Sequence, residues 1–130
     1  MARLLIVDDE PTLVLLMSTV LEKEGHTVET AANGQEALIK LGVAPDDASA
    51  VLPDLILLDI MMPIFDGFGV AAALTDHPRA GRVPIMIVTA KGDMRPLFEA
   101  MPQVAGFFQK PFTPTALREA VLKAVTAHPA

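Results

Sequence analysis

Five side chains could carry chemistry in this 130-residue sequence: the adjacent pair Asp8 and Asp9, then Asp59, Thr89 and Lys110. They are far apart along the chain, so they make a site only if the fold gathers them. Two carboxylates about 4 Å apart at an effective dielectric near 20 repel by roughly 4 kcal/mol. Three gathered aspartates must therefore raise a pKa, spread apart or hold a cation. With oxygen ligands only and no cysteine in the chain, such a cluster suits a hard divalent ion, Mg²⁺ or alternatively Mn²⁺, rather than zinc. Magnesium held by few carboxylates usually also binds phosphate oxygens, and Lys110 offers these a further positive charge. Taken singly, each residue has an ordinary role, the acidic pair as a helix-start signal and the Thr and Lys as surface polar groups. The chemistry depends on their being brought together.

The elements that must do so are legible as hydrophobic pattern. Leu4 to Val7, Leu55 to Leu58 and Ile85 to Val88 are unbroken apolar runs, as expected of parallel strands covered on both faces. Thr27 to Ala31 and Gly106 to Gln109 are weaker strand candidates. Pro11 to Glu24 places Leu13, Leu16, Met17, Val20 and Leu21 on one helical stripe, with Gly25 as the stop. Asn33 is positioned to cap a second helix through about Leu41, and a third spans about Gly67 to Thr75. A short fourth is predicted from Arg95 to Met101, ended by Pro102, and a fifth from Pro114 to Ala127 with Thr113 as its cap. The alternation predicts an α/β fold, a doubly wound five-stranded parallel sheet with helices on both faces. Ligands in such sheets bind outside the carboxyl ends of the strands. The first strand ends in Asp8-Asp9, the third in Asp59, the fourth in Thr89 and the fifth in Lys110, so all five groups are expected along one edge. Gly42 to Pro53 reads as a long surface loop.

Composition narrows the function classes. Ten Lys and Arg against sixteen Asp and Glu give a net charge of −6, and no basic patch is visible for phosphate contacts, which argues against nucleic acid as a partner. The chain is 52% hydrophobic, yet its apolar runs are too short to span a bilayer, and the N-terminus lacks a signal-peptide core. A single cytoplasmic domain over residues 1–130 with no membrane partner is expected. The absence of cysteine excludes a disulfide framework, a zinc ribbon and a thiol nucleophile. His26, His77 and His128 stand outside any ligand spacing and are read as surface residues.

The segment Asp59-Ile-Met-Met62-Pro63-Ile-Phe-Asp66-Gly67 resembles the phosphoacceptor loop of two-component response-regulator receiver domains. Val7-Asp8-Asp9-Glu10-Pro11, Val88-Thr89-Ala90 and Lys110-Pro111-Phe112 are similar to the family's other three motifs, and all four occur in order across essentially the whole chain. The resemblance implies a flavodoxin-like (CheY-like) sheet of order 2-1-3-4-5. It further implies a phosphorelay domain that takes a phosphoryl group onto Asp59 from a histidine kinase or a histidine phosphotransfer protein. Partner binding then switches toward a downstream target or an output domain outside this chain. Such a domain catalyses its own phosphorylation and dephosphorylation rather than turning over a substrate.

Carried over residue by residue, the resemblance makes Asp59 the nucleophile. Asp9, Asp59 and the Met61 carbonyl would hold Mg²⁺, with Asp8 acting through coordinated water. Lys110, Thr89 and the Ala90 N–H would bind phosphoryl oxygens, and a cis bond to Pro111 would fix the lysine. Thr89 and Phe107 would form the switch. Met61 has no polar end to hold an attacking water, so a long-lived phosphoaspartate is expected. Val14, Leu15 and Ser18 would turn away from the sheet and dock the phosphodonor. Two other readings remain: a Mg²⁺-dependent phosphatase with an aspartyl nucleophile, and a degenerate scaffold. The phosphatase class commonly has an acid at the Met61 position, and the complete set of five residues disfavours the scaffold. No helix-turn-helix follows Ala127, so the chain is expected either to act alone or to be part of a longer protein.

Overall fold

An apolar run with no polar alternation must bury both faces of its strand, and the runs Leu4 to Val7, Leu55 to Leu58 and Ile85 to Val88 do so. The computed structural model describes residues 2–59, 67–89, 103–110 and 113–127. Its strands are β1 (Arg3–Val7), β2 (Thr27–Ala31), β3 (Leu55–Asp59), β4 (Ile85–Thr89) and β5 (Val104–Gln109). They form one parallel sheet in the order β2-β1-β3-β4-β5. The period of two along each strand divides the core. Leu5, Val7, Ile56, Leu58, Ile85 and Ile87 face one layer, while Leu4, Ile6, Leu55, Leu57, Met86 and Val88 face the other. Fully burying such a side chain is worth about 1.5–3 kcal/mol, so the central strands dominate the folding free energy.

Helices cover both layers. The first layer is closed by α2 (Gly34–Lys40) and α3 (Gly67–Thr75), the second by α1 (Pro11–Lys23) and α4 (Pro114–Ala127). The cap residues act as the sequence predicts: Asn33 Oδ1 accepts from Glu36 N at 2.8 Å and Thr113 Oγ1 from Ala116 N at 3.1 Å. Gly25, at φ 91°, takes the chain out of α1 in a conformation that only glycine adopts freely. A short 3₁₀ turn, Ala80–Arg82, leads into β4. The expected helix over Arg95 to Met101 lies outside the described residues.

One expectation about α1 needs correction. In α1 the inward stripe is centred on Met17, Val20 and Leu21, with Leu13 and Val14 packed partly against it, whereas Leu16 is 44% exposed. The stripe therefore runs 14-17-21 and 13-17-20 rather than through Leu16, which sits a 100° step from Met17. The segment Gly42 to Pro53 is the long surface loop the sequence predicts, exposed over residues 44–49, and it is anchored to the body of the domain. It carries a bridge between Val43 and Asp46 and a cis Ala44–Pro45 bond, and Asp46 Oδ1 meets both His77 Nε2 at 2.9 Å and Arg79 Nη2 at 2.7 Å.

Candidate functional site

The sheet order reverses between β1 and β3, the position where open parallel sheets bind ligands. Register makes the site dense. Val7 lies beside Leu58 and Asp59 beside Val88, so Asp8 and Asp59 leave neighbouring strands side by side. Thr89 lies beside Gln109, which places Lys110 one residue further along the same edge.

Asp8, Asp9 and Asp59 each offer a carboxylate oxygen within 4.8 Å of the others. Asp8 and Asp59 are buried, while Asp9 is exposed and opens the cluster to solvent. Asp8 is fixed from both sides. Its Oδ1 accepts from Glu10 N at 3.0 Å and its Oδ2 pairs with Lys110 Nζ at 3.0 Å. The same ammonium lies 3.7 Å from Asp59 Oδ2 and is itself mostly buried. Among the described residues, three carboxylates and one ammonium give the site a formal charge of −2, which one divalent cation balances. The donor set, all oxygen and open on the Asp9 side, fits Mg²⁺ or Mn²⁺.

The Glu10 amide was not foreseen. An aspartate accepting the backbone N–H two residues on is a local Asx turn, and Asp8-Asp9-Glu10 before Pro11 contains its pattern. Here it orients a site carboxylate at the point where β1 hands over to α1.

The remaining predicted residues divide. Asp8, Asp9, Asp59 and Lys110 come together, and Thr89 closes β4 beside them. Met61, Ala90 and Pro111 lie outside the described residues. Phe107 is half-buried against the α2/α3 layer and Phe108 against the α1/α4 layer, as strand alternation requires. On α1, Leu15 is 67% exposed and Ser18 is half-buried, its Oγ donating to Leu15 O. Val14 packs partly inward, which removes it from the outward face. His26 is a further correction, being only 6% exposed, with its Nδ1 accepting from Ala2 N at 3.2 Å. His77 is also largely enclosed by its contacts with Asp46, Arg79 and Ala80, and His128 lies outside the described residues.

The family model described as the response regulator receiver domain matches residues 4–122. The chain belongs to this family. Protein PilH of Pseudomonas aeruginosa is 43% identical over 91 residues, covering 70% of this chain and 69% of PilH. The CpxR homolog of Haemophilus influenzae, described as a transcriptional regulatory protein, is 43% identical over 93 residues, covering 72% of this chain but only 36% of that longer protein. Among solved structures, chemotaxis protein CheY4 of Vibrio cholerae superposes with a TM-score of 0.83 at 29% identity, covering 95% of this chain and 98% of that one. Response regulator TrrA of Thermotoga maritima, solved in complex with Mg²⁺-BeF, gives 0.79 at 32% identity, covering 95% and 99%. This chain is thus a receiver domain of two-component signalling. Among its described residues no helix is long and apolar enough to cross a membrane.

Proposed function

We propose that Asp59 of this receiver accepts a phosphoryl group in a Mg²⁺-dependent reaction. The observation that carries the reading is the placement of Asp59. Its buried carboxylate ends the central strand within 4.8 Å of the Asp8 and Asp9 oxygens and 3.7 Å from Lys110 Nζ. An Asp59 oxygen attacks phosphorus, the bond from phosphorus to the donor breaks, and the imidazole of a phosphohistidine or the carboxylate of an acyl phosphate leaves with its electron pair. Asp9, Asp59 and the Met61 carbonyl are the ligands assigned to Mg²⁺, with Asp8 reaching it through water. Bound there, the ion would supply positive charge for the transferring phosphoryl oxygens. Lys110 is already beside the nucleophile and needs only a small movement to pair with a phosphoryl oxygen, while Thr89 and the Ala90 N–H are assigned to the others. Such catalysis is alignment and charge neutralisation, and the same residues serve the later hydrolysis.

The phosphodonor is a histidine kinase or histidine phosphotransfer protein, met on the outward face of α1 at Leu15 and Leu16, and the setting is the cytoplasm. Added charge on Asp59 draws Thr89 toward it, and Phe107, packed between β5 and the α2/α3 layer, repacks to report the change to a downstream partner. The test is intact mass spectrometry after incubation with acetyl phosphate. A gain of one phosphoryl group that needs Mg²⁺ and disappears in Asp59→Ala is the expected result. The same gain in Asp59→Ala would remove Asp59 from the role.

A further inference from the structure

Away from the phosphoryl site, α4 presents a second stripe that the core does not use. Leu117, Val121 and Ala124 face the sheet, whereas Thr115, Arg118, Glu119 and Leu122, spaced i, i+3, i+4, i+7, line a separate cleft of about 250 Å³. Its opposite wall is Glu24 and His26, at the exit from α1 and the entrance to β2. A cavity of roughly 150 Å³ holds benzene, so this cleft has room for about ten non-hydrogen atoms.

The groups lining it are complementary to a particular kind of molecule. His26 is more than nine-tenths buried, and its Nδ1 is occupied as the acceptor of the Ala2 N–H. The proton of the neutral ring therefore sits on Nε2, where no partner is found among the described residues. Because Nε2 carries a proton it is a donor, which argues against a metal ion at this histidine and calls for an acceptor atom on the ligand. Thr115 Oγ1 accepts from Arg118 Nη2 at 3.1 Å, leaving its hydroxyl hydrogen as a second donor. Arg118 is neutralised by Glu24, Nε to Oε1 at 3.0 Å, so Glu119 gives the lining an excess negative charge. A simple anion meets that charge unfavourably, and a simple cation leaves the His26 and Thr115 donors unmatched. Leu122, half exposed, supplies an apolar wall.

We propose that this cleft binds a small zwitterion of free amino-acid size, its carboxylate on His26 Nε2–H and the Thr115 hydroxyl, its ammonium on Glu119 and its apolar part on Leu122. Its lining shares no residue with the Asp59 cluster.

The test is a titration of the full chain followed by NMR at the His26 ring nitrogens and the amides of residues 115–122, with free leucine as the probe. Isovalerate and isopentylamine, which keep the carboxylate or the amino group alone, serve as controls. Saturable shifts with leucine, and at least tenfold weaker binding of both half-molecules, are expected. His26→Asn keeps an acceptor for Ala2 N while deleting the Nε2 donor, and should weaken leucine binding at least tenfold. Glu119→Gln, on the exposed side of α4, should do likewise and covers the case in which His26→Asn fails to fold. No saturable shift with leucine, equal binding of either half-molecule, or leucine binding unchanged in Glu119→Gln would overturn the proposal.

Discussion

The two ends of the sheet solve opposite electrostatic problems. At the strand entrances, polar groups pair without clustering like charge, although Gln103 Oε1 is buried with no hydrogen-bond partner among the described residues. Ala2 N donates to His26 before β1, Arg3 N to Asp54 Oδ2 before β3, and Gln103 Nε2 to the Ala80 and Val83 carbonyls before β4. At the strand exits, among the described residues, three carboxylates crowd together with a single ammonium between two of them. An arrangement selected only for stability would not concentrate like charge there. The entrances hold the sheet in register, and the exits keep an excess of negative charge available for a cation and a phosphoryl group.

Removing the one counter-charge found at the exits among the described residues should break this contrast most strongly. Lys110 neutralises Asp8, whose side chain is almost fully buried, and breaking a buried pair leaves an uncompensated charge at a cost of about 3 kcal/mol or more. Lys110→Met should lose about that much stability in chelator, measured by calorimetry. Saturating Mg²⁺ should return a larger share of stability to the variant than it adds to the wild type. An equal loss with and without Mg²⁺ would show that the ammonium and the cation do not share the task of neutralising the aspartates.

The same contrast can be sharpened from the entrance side. Gly42 sits at φ 71° as α2 gives way to the connection before β3, and a β-carbon there would collide with the Asp47 carbonyl oxygen and the Ala50 side chain. Gly42→Ala should cost about 2 kcal/mol through backbone strain and overlap. Its rate of phosphorylation by acetyl phosphate, measured well below the melting temperature, should stay at the wild-type value. A slowed reaction at full folding would mean that the entrances and exits are coupled.

How much of this was legible in the sequence follows from which interactions are local. The apolar runs of β1, β3 and β4, the cap at Asn33 and the limits of α3 could be read because periodicity and capping act over a few residues. Asp8, Asp9, Asp59 and Lys110 could be placed on one edge because a parallel sheet sends every strand exit the same way. The orientation of α1 was misjudged by one residue step: five apolar side chains and a neighbouring pair, Val14 and Leu15, fit two stripes nearly as well, and only packing against α4 selects between them. His26 and the Asp46 contacts to His77 and Arg79 were invisible for a different reason. They join residues 24 or more positions apart, and an isolated histidine carries no pattern that announces its partner.

The smallest effect expected is the pH response of that buried histidine. Burial, aided by the positive amino terminus and opposed by Glu24, holds the His26 pKa below its usual 6.5. The folded protein therefore keeps the ring neutral where the unfolded chain already binds a proton, so stability is unchanged above pH 6.5 and falls as pH drops below it, levelling off once the folded-state pKa is passed. Asp46 and Asp47, whose pKa values lie below 3.8 through hydrogen bonds from His77 and Arg79 and from Ser49 respectively, lose their contributions in a lower window. His26→Asn retains an acceptor for Ala2 N and cannot titrate, so its unfolding curves, followed by circular dichroism because the chain has no Trp or Tyr, should lack the part of the slope due to His26. If the variant and the wild type lose stability equally below pH 6.5, the proton is taken up elsewhere, and the entrance to β2 is not the acid-sensitive point of the sheet.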